Sequence, residues 1–497
     1  MCVRLAENLF KTSDFIQCQK LILAVSGGSD SLALLFLVKD HLETLSIPPE
    51  MIAVTIDHQL RKESAREAEN VAEICRAHRI KHIIVRWEGK KPNTHIASSA
   101  RIARYNLLFQ EAQKQNATLI MTGHTLNDQV ETYQMRYQRL QKGLRGKEKR
   151  TFEGLHDGVY TKSPADILQH EVFEALCDGE CSGEAGENIA QKSYGLMYAR
   201  GLSCIPREAL LCRKIRLIRP LLGVERKTLR AYLRLKGKTW IDDPTNEDRN
   251  FERVRVRQSL YQKKLSVIAQ RVHKAALKRR QQAQIIAELI LALDIMVEYG
   301  RCFIAKPAPF LQQNPAFPFV FGLFAVLMGG GFYLLSASKL IILFQKLSLC
   351  SSEKQRFTYA GSVIECNKDG VALWRESRNM KEAIVAPGET HLWDGRYQIT
   401  NHGADAIKVG AAGMKQLKFL FQNSNIDLEN PHFPSLQSLL MISTDKEWVI
   451  PELTYHAVSY QNVTIKRIMA PFDWLLSRED FAFFNVVEPF FNLEVKR

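Results

Sequence analysis

The stretch LILAVSGGSDSLALLFLV, residues 21–38, places six small residues between two apolar runs. The first run has the length and composition of a buried strand, and the second has those of a buried helix. The break from Ser26 to Ser31 contains two glycines, three serines and one aspartate. Glycine lets backbone N–H groups approach an anion closely, and a helix that begins there adds a partial positive charge. The stretch therefore predicts a strand, a phosphate-binding loop and a helix.

Short apolar runs alternate with helical patterns throughout the first third of the chain. In chain order, the predicted elements are strand 21–25, strand 52–56, helix 65–78, strand 82–87, helix 97–113 and strand 119–122. This alternation is typical of a parallel sheet with helices on both faces. We therefore predict an α/β fold that begins with a doubly wound parallel sheet.

The composition is typical of a soluble globular protein and indicates a polyanionic partner. The 497 residues are 46% hydrophobic and 24% charged, and the formal charge is +15. A chain of this length is longer than the chain that folds around one hydrophobic core, so we expect two to four domains. The ten cysteines include no C-x-x-C pair, which speaks against a zinc site and a disulfide framework. We expect free thiols and a cytoplasmic location.

Residues 307–338 contain no charged side chain, and residues 316–335 are almost wholly apolar. This length permits a membrane span. Pro318 and the glycines at 329–331 instead favour two short buried helices joined by a turn. The sequence therefore predicts a core segment and no membrane association.

Changes in composition and hydrophobic pattern along the sequence divide the chain into three predicted domains. Residues 1–215 form the predicted catalytic domain, with a surface insertion at about 140–200 where the strand and helix patterns dissolve. Residues 216–345 are predicted to be basic and mainly helical. Residues 346–497 contain two D-G turns between alternating runs, which predicts a small β-rich α+β domain.

The loop residues suit the phosphates of a nucleotide. Its glycine backbone and the hydroxyls of Ser26, Ser29 and Ser31 can donate hydrogen bonds. Asp30 cannot donate when ionised, so beside phosphates we expect it to face Mg²⁺. The loop has neither the G-K-[ST] of a Walker loop nor the G-x-G-x-x-G of a dinucleotide site.

The spacing S-G-G-x-D-S after a first strand resembles the PP-loop of the ATP pyrophosphatase superfamily. Further motifs resemble, in order, those of the tRNA(Ile)-lysidine synthase family. They are TIDHQLRKES (55–64), SSARIARYNLL (98–108), TGHTLNDQVET (122–132), IRPLLGVERKTLRAYL (218–233) and WIDDPTNEDRNFERVRVR (240–257). The resemblance covers residues 18–135 and 200–260 closely and the C-terminal part more loosely.

The resemblance implies an ATP-dependent ligase that acts on tRNA. Members of that family adenylate O2 of the wobble cytidine in a CAU anticodon and release pyrophosphate. The ε-amine of free lysine then displaces AMP, and the resulting lysidine reads AUA. The implied cofactors and partners are ATP, Mg²⁺, L-lysine and tRNA(Ile). No stable protein partner is implied, and a homodimer stays open.

The functional positions of the family carry over onto matching residues of this chain. The implied catalytic residues are Asp30, His124 and Asp128, and the implied metal ligands are Asp30 and Asp128. Nucleotide binding falls to Ser26, Gly27, Gly28, Ser29, Asp30, Ser31, Asp57 and His58. Contact with lysine or tRNA falls to Arg101, Arg104, Glu131, Arg253, Arg255 and Arg257. The sequence leaves open whether Asp128 and Glu131 bind the lysine ammonium or act as bases.

Two residues of the third motif depart from the family pattern. The family usually has H-H-x-D-D-Q-x-E-T, whereas this chain has Thr125 and Asn127 in place of the second histidine and the first aspartate. Any role of that first acid therefore passes to Asp128 or lapses.

Positive charge is concentrated in residues 201–280. This segment holds 22 Lys or Arg against 7 Asp or Glu, so its formal charge of +15 equals that of the whole chain. A solvated helix face explains most charged runs, but an imbalance of this size favours a surface that follows nucleic acid phosphates. Its densest part contains Arg249, Arg253, Arg255 and Arg257. The resemblance makes tRNA the implied partner of this segment.

Two other classes of function stay open. The first is another PP-loop enzyme that modifies tRNA, of the thiolase type, and the missing cysteine pair counts against it. The second is a non-enzymatic RNA-binding protein with a nucleotide-binding fold, and the complete loop counts against that.

Overall fold

The computed structural model divides the chain into two compact units. It describes residues 9–89, 91–92, 94, 96–145, 200–242, 248–260, 265–306, 309–348, 354–423, 428, 430–445, 447–454, 459–460 and 462–492. Of these, unit 1 holds the residues within Met1–Cys181, Ala199–Leu277 and Leu475–Arg478. Unit 2 holds those within Lys278–Trp474 and Glu479–Arg497.

The described strands and helices are numbered here in chain order. The strands are β1 (Lys20–Ala24), β2 (Glu50–Asp57), β3 (Lys81–Arg86), β4 (Leu119–Thr122), β5 (Glu208–Leu211), β6 (Ile215–Ile218), β7 (Ile295–Glu298), β8 (Arg301–Ala305), β9 (Gln355–Tyr359), β10 (Ser362–Cys366), β11 (Gly370–Arg375), β12 (Ala383–Val385), β13 (Thr390–Trp393), β14 (Tyr397–Asn401), β15 (Ile407–Ala411), β16 (Leu440–Ser443), β17 (Trp448–Val449), β18 (Ser459–Tyr460), β19 (Val463–Arg467) and β20 (Leu475–Ser477). The helices are α1 (Ser29–Leu42), α2 (Ser64–Ala77), α3 (Ile96–Lys114), α4 (Leu126–Arg145), α5 (Arg226–Leu235), α6 (Glu252–Ser259), α7 (Leu265–Ala292), α8 (Pro309–Gln312), α9 (Phe317–Gly329), α10 (Ala337–Ser348), α11 (Gly413–Asn423), α12 (Phe433–Leu436), α13 (Ala470–Asp473) and α14 (Phe481–Phe491).

Unit 1 is built on a seven-stranded sheet with the order β20-β5-β6-β4-β1-β2-β3. Strands β6, β4, β1, β2 and β3 are mutually parallel, and β5 and β20 add an antiparallel edge. The predicted α/β fold is therefore confirmed, and each strand and helix predicted before residue 123 is present with ends that differ by at most two residues. Because parallel strands end on the same edge, the loops after β1, β2, β4 and β6 lie together.

Helix α1 is buried far more completely than a surface helix. Every residue from Leu32 to Val38 is buried, and Leu229, Tyr232 and Leu233 of α5 belong to the same hydrophobic core. This packing places α5 in unit 1, and β6 pairs with β4 in the central sheet. The predicted boundary at 215 therefore differs from the structure, because residues beyond it complete the core of the nucleotide-binding fold.

Unit 2 contains three antiparallel sheets, with the orders β7-β8-β11-β10-β9, β12-β15-β16-β17 and β13-β14-β19-β18. Both hairpins predicted from D-G turns are present, as β10–β11 and β13–β14. Strands β7 and β8 precede the predicted boundary at 345, yet β8 pairs with β11 beyond it. That boundary therefore cuts through a sheet, and the predicted helical domain 216–345 is shared between the two units.

The apolar segment 316–335 contains one buried helix, α9, where two buried helices were predicted. The second helix, α10, begins after the segment, and of its described side chains Leu340 and Leu343 are buried. Helix α9 is buried along its whole length and is capped by Gly330, whose φ of +73° suits glycine. Its Gly322 lets α10 come close, since a Cβ there would lie 2.1 Å from Cδ2 of Leu340. Among the described residues, no helix combines the length and the apolar character that a membrane crossing requires. The insertion predicted at about 140–200 lies almost wholly outside the described residues.

Candidate active site

The loop from Ser26 to Ser31 connects β1 to α1 and is braced by its own side chains. The Ser31 hydroxyl donates to the Gly28 carbonyl at 3.0 Å and accepts from the Ser26 backbone N–H at 3.1 Å. Gly27 has a φ of +83°, and a Cβ there would lie 3.1 Å from Val71. The buried Ser31 hydroxyl therefore fixes the loop, whereas Ser26 is exposed at its mouth.

Helix α1 begins in this loop and directs its first turn towards the edge of the sheet. Its N-cap, Gly28, has no side chain to satisfy the first N–H groups. Such groups lack a partner inside the helix and attract an anion. Gly123, directly after β4, packs against this turn, since a Cβ there would lie 3.0 Å from the backbone of Asp30 and Ser31. The geometry suits a phosphate group.

Three carboxylates and three guanidinium groups meet beside the loop. This charge cluster consists of Asp30, Asp128, Glu131, Arg226, Arg253 and Arg257. The cluster joins residues from α1, α4, α5 and α6, which are up to 227 positions apart in the chain. The structure thus brings the predicted site residues Asp30, Asp128 and Glu131 together.

Asp128 is held from two sides within the charge cluster. Its Oδ2 accepts from the backbone N–H and the hydroxyl of Thr125, at 2.7 and 2.9 Å. Its Oδ1 accepts from Nη2 of Arg253 at 2.6 Å and from Nη2 of Arg226 at 3.5 Å. Burial raises the pKa of Asp128, but Arg253 and the other neighbouring charges together outweigh it and hold the pKa below its ordinary value. Asp128 is therefore an anion at neutral pH.

Glu131 is the most deeply buried acid of the cluster, with 1% of its surface exposed. Its Oε2 accepts from Nε of Arg253 at 2.6 Å, and its Oε1 accepts from Nε of Arg257 at 2.7 Å. Glu131 therefore does not face solvent. Both of its oxygens are occupied by arginines of α6.

Asp30 pairs with Arg226, and not with the α6 arginines that hold Glu131. Its Oδ2 accepts from Nε of Arg226 at 2.8 Å, and its Oδ1 accepts from the hydroxyl of Ser29 at 3.2 Å. Burial raises the pKa of Asp30, and Arg226 opposes that rise. Among the described residues, Oδ1 of Asp30 therefore accepts one hydrogen bond, and that bond is long.

The two departures from the family motif each have a structural partner. Thr125 fixes Asp128 through the two hydrogen bonds given above. The Asn127 amide oxygen accepts from the backbone N–H of Arg226 at 2.8 Å, where α5 begins. An amide fulfils this capping role as well as a carboxylate, because only an acceptor oxygen is needed.

His124 follows β4 and is neutral. Its Nδ1 lies 2.9 Å from the Thr122 hydroxyl. Burial, then the charge of Arg219, lowers the pKa of His124 to about 3. Arg219 itself is fully buried and donates from Nη1 to the Pro206 carbonyl at 2.7 Å. His124 can therefore form hydrogen bonds near the cluster but does not carry a proton as a general acid at neutral pH.

His58 offers an unpaired donor at the end of β2. Its Nε2 accepts from Nε and Nη2 of Arg104 at 3.3 and 3.2 Å. Arginine only donates, so the proton of neutral His58 is on Nδ1. That atom is buried and has no hydrogen-bond partner among the described residues. Burial, then Arg104, lowers the pKa of His58 to about 4, which keeps the ring neutral.

The remaining predicted residues lie around this edge in different roles. Asp57 is buried and accepts the Gln59 N–H at 2.9 Å, which closes the turn after β2. Arg101 is exposed and lies over the Tyr105 ring at 5.1 Å. Arg255 is exposed on α6 and donates to the Arg249 and Asn250 carbonyls at 2.7 and 2.9 Å. Arg253 and Arg257, by contrast, project from the other face of α6 towards carboxylates.

Sequence reasoning missed Arg226, Arg219 and Gly123. All three stand inside motifs quoted above, but arginines of a basic segment were assigned collectively to nucleic acid. The position of Arg226 at the start of a helix, directly after Glu225, can be inferred from the sequence. Its pairing with Asp30 cannot, because the two residues are 196 positions apart and no local pattern links them.

A cavity of about 130 Å³ adjoins the charge cluster. It is lined by two acids, two bases, an amide and two leucines, namely Glu131, Glu225, Lys227, Arg257, Asn127, Leu260 and Leu265. Groups of both signs beside apolar carbon suit a small zwitterion with an aliphatic chain.

The comparisons with known proteins identify a family. The PP-loop domain model matches residues 2–156 and 189–264. The chain is 72% identical to tRNA(Ile)-lysidine synthase of Bartonella quintana over 497 residues, which cover all of both chains. It is 33% identical to the enzyme of that name from Brucella suis, over 97% of this chain and 96% of the relative. U34-tRNA thiolase NcsA from Methanococcus maripaludis aligns with 55% of this chain and 76% of its own at 11% identity, with a TM-score of 0.36 that supports no inference.

Proposed function

We propose that this chain, which belongs to the tRNA(Ile)-lysidine synthase family, uses ATP to join free lysine to C2 of the wobble cytidine in the CAU anticodon of tRNA(Ile). The observation that carries the proposal is the meeting of the PP-loop with Asp30, Asp128 and Glu131 at one edge of the sheet. The anion site at the loop suits the triphosphate of ATP, and the anionic side chains beside it suit the cationic amine that reacts in the second step.

The first step is adenylation of the cytidine. Cytosine O2 attacks the α-phosphorus of ATP, and the bond to the β-phosphate oxygen breaks to release pyrophosphate. The N-terminus of α1 and the loop backbone hold the phosphates, where negative charge builds. We assign His58 Nδ1–H, which has no hydrogen-bond partner among the described residues, as a donor to an acceptor on the nucleotide. Ser31 acts indirectly, because its hydroxyl fixes the loop.

The residues present fit a magnesium ion. Mg²⁺ usually takes one or two carboxylates together with substrate phosphates, and the described residues show no larger group of His, Cys, Asp or Glu arranged for a metal. Asp30 Oδ1, with its one long hydrogen bond, would be the first ligand. Asp128, the second ligand expected from the sequence, already accepts hydrogen bonds from Thr125 and two arginines on its two oxygens, so it would have to exchange one of them for the ion. When bound, the ion neutralises charge on the phosphates.

The second step needs lysine as a neutral amine. The ammonium has an ordinary pKa of ~10.4, so it must lose a proton before it attacks C2. Asp128 and Glu131 attract the ammonium, and one of these carboxylates takes its proton. The nitrogen then bonds to C2, the bond from C2 to O2 breaks, and AMP leaves with the former O2 oxygen. The adjoining cavity suits the α-amino and α-carboxylate groups, next to Glu225 and Lys227 respectively.

The tRNA is proposed to lie along the basic segment. Arg255 and Arg101 are exposed and available to phosphates. The wobble base has to leave its stack to reach the nucleotide, as it does in other enzymes that act on a base.

Product analysis tests this function. Purified protein is mixed with ATP and tRNA(Ile) of CAU anticodon, with and without lysine. We expect pyrophosphate in both mixtures and lysine-dependent release of AMP. AMP release that needs a sulfur donor instead of lysine would identify a thiolase, and binding of tRNA without pyrophosphate would identify an RNA-binding protein.

A further inference from the structure

Arg253 occupies the position where the proposed function needs the substrate ammonium. Its Nη2 lies 2.6 Å from Asp128 Oδ1, and its Nε lies 2.6 Å from Glu131 Oε2. One guanidinium group thus bridges the two acids that attract the lysine ammonium.

The charges of the cluster balance while Arg253 is in place. Three carboxylates face three guanidinium groups, and Glu131 and Asp128 are both buried. An added ammonium would then be an excess buried charge, which is unfavourable. Removal of Arg253 alone leaves a charge of −1, because Arg226 still pairs with Asp30 and Arg257 with Glu131. One ammonium group neutralises that charge.

Arg253 also has a route away from the cluster. Its side chain is 41% exposed, whereas that of Glu131 is 2% exposed. It belongs to α6, an eight-residue helix in the basic segment whose other face carries the exposed Arg255. A phosphate near α6 offers Arg253 a bidentate partner equivalent to the carboxylates.

We propose that Arg253 substitutes for the lysine ammonium until tRNA binds, so that the amine site forms only in the tRNA complex. The inference rests on the proposed function and adds an order of binding to it. A backbone phosphate of tRNA takes Arg253 away from Asp128 and Glu131, and lysine takes its place. The specificity gained is that free lysine does not occupy the site before the cytidine is present.

Equilibrium dialysis with radiolabelled lysine tests the order of binding. ATP is left out, so no chemistry occurs. For the unaltered protein we expect lysine to bind at least tenfold more tightly with saturating CAU tRNA than without it. Equal affinity in the two conditions would overturn the inference, and this comparison needs no variant.

Arg253→Met removes the guanidinium and should abolish the dependence on tRNA. We expect this variant to bind lysine without tRNA about as tightly as the unaltered protein does with tRNA. Arg139→Met is the matched control, because Arg139 holds α6 through Glu252 and touches neither Asp128 nor Glu131. The control should keep the dependence on tRNA, and a folded Arg253→Met protein that also keeps it would refute the role of Arg253.

The inference and the proposed function fail in distinguishable ways. If lysine is incorporated into tRNA in the presence of ATP but binds with the same affinity with and without tRNA, only the proposed order of binding is refuted. Absence of incorporation would remove the proposed function.

Discussion

Replacing Gly123 by alanine tests how closely β4 must approach the nucleotide loop. A Cβ at this position would lie 3.0 Å from the carbonyl carbon of Asp30 and from Cα of Ser31. Carbon atoms pack best at about 3.5–4.0 Å, so the two backbones must separate by about 0.5 Å. A misplacement of 1 Å at a reacting centre costs about 100-fold in rate, so half that distance corresponds to about tenfold. The overpacking itself costs about 1–3 kcal/mol.

The assay is tRNA-dependent release of pyrophosphate, measured beside thermal unfolding. We expect Gly123→Ala to release pyrophosphate about tenfold more slowly and to unfold several degrees lower, as its overpacking implies. Gly223→Ala is the control, since a Cβ there would meet no atom within 4 Å. Equal rates for the two variants would show that the contact between β4 and α1 does not position Asp30.

Three further predictions address charge. Asp30→Ala should reduce pyrophosphate release by about 10²-fold or more and leave tRNA affinity unchanged, as filter binding would show; retained release would exclude Asp30 from the chemistry. Arg255→Met should lower the slope of log affinity against log salt by about one, because one phosphate contact is lost; an unchanged slope would place the tRNA elsewhere. The pKa values of His58 and His124 are lowered from 6.5 to about 4 and about 3, so below pH 6.5 the unfolded chain binds more protons and stability falls as the pH is lowered. His58→Gln should make this fall shallower in urea unfolding between pH 7 and pH 5, and an identical fall would contradict the assigned pKa.

The first sheet was predictable because its signals are local. The strand at 21–25 is followed by a loop with two glycines, and an apolar helix begins directly after that loop, so the apolar pattern and the turn residues indicate the same structure. The placement of Asp30 and Asp128 near one another was likewise expected from the motifs that resemble the family. Each of these motifs is read from residues within a few positions of one another.

The unpredicted features depend on contacts between distant segments. The basic run around Arg253 indicated a nucleic acid surface, but α6 turns Arg253 and Arg257 towards acids more than 120 positions earlier. The hairpin of β7 and β8 was missed because its turn is Tyr299-Gly300, both with positive φ, and tyrosine is not a usual residue there. The placement of α5 required knowledge of the core shared with α1.

Incorporation of radiolabelled lysine into tRNA tests the central claim most directly. The protein is incubated with ATP, labelled lysine and either tRNA(Ile) of CAU anticodon or the same tRNA with uridine at the wobble position. We predict label in the CAU species alone. Label in neither tRNA, or in both equally, would contradict the account.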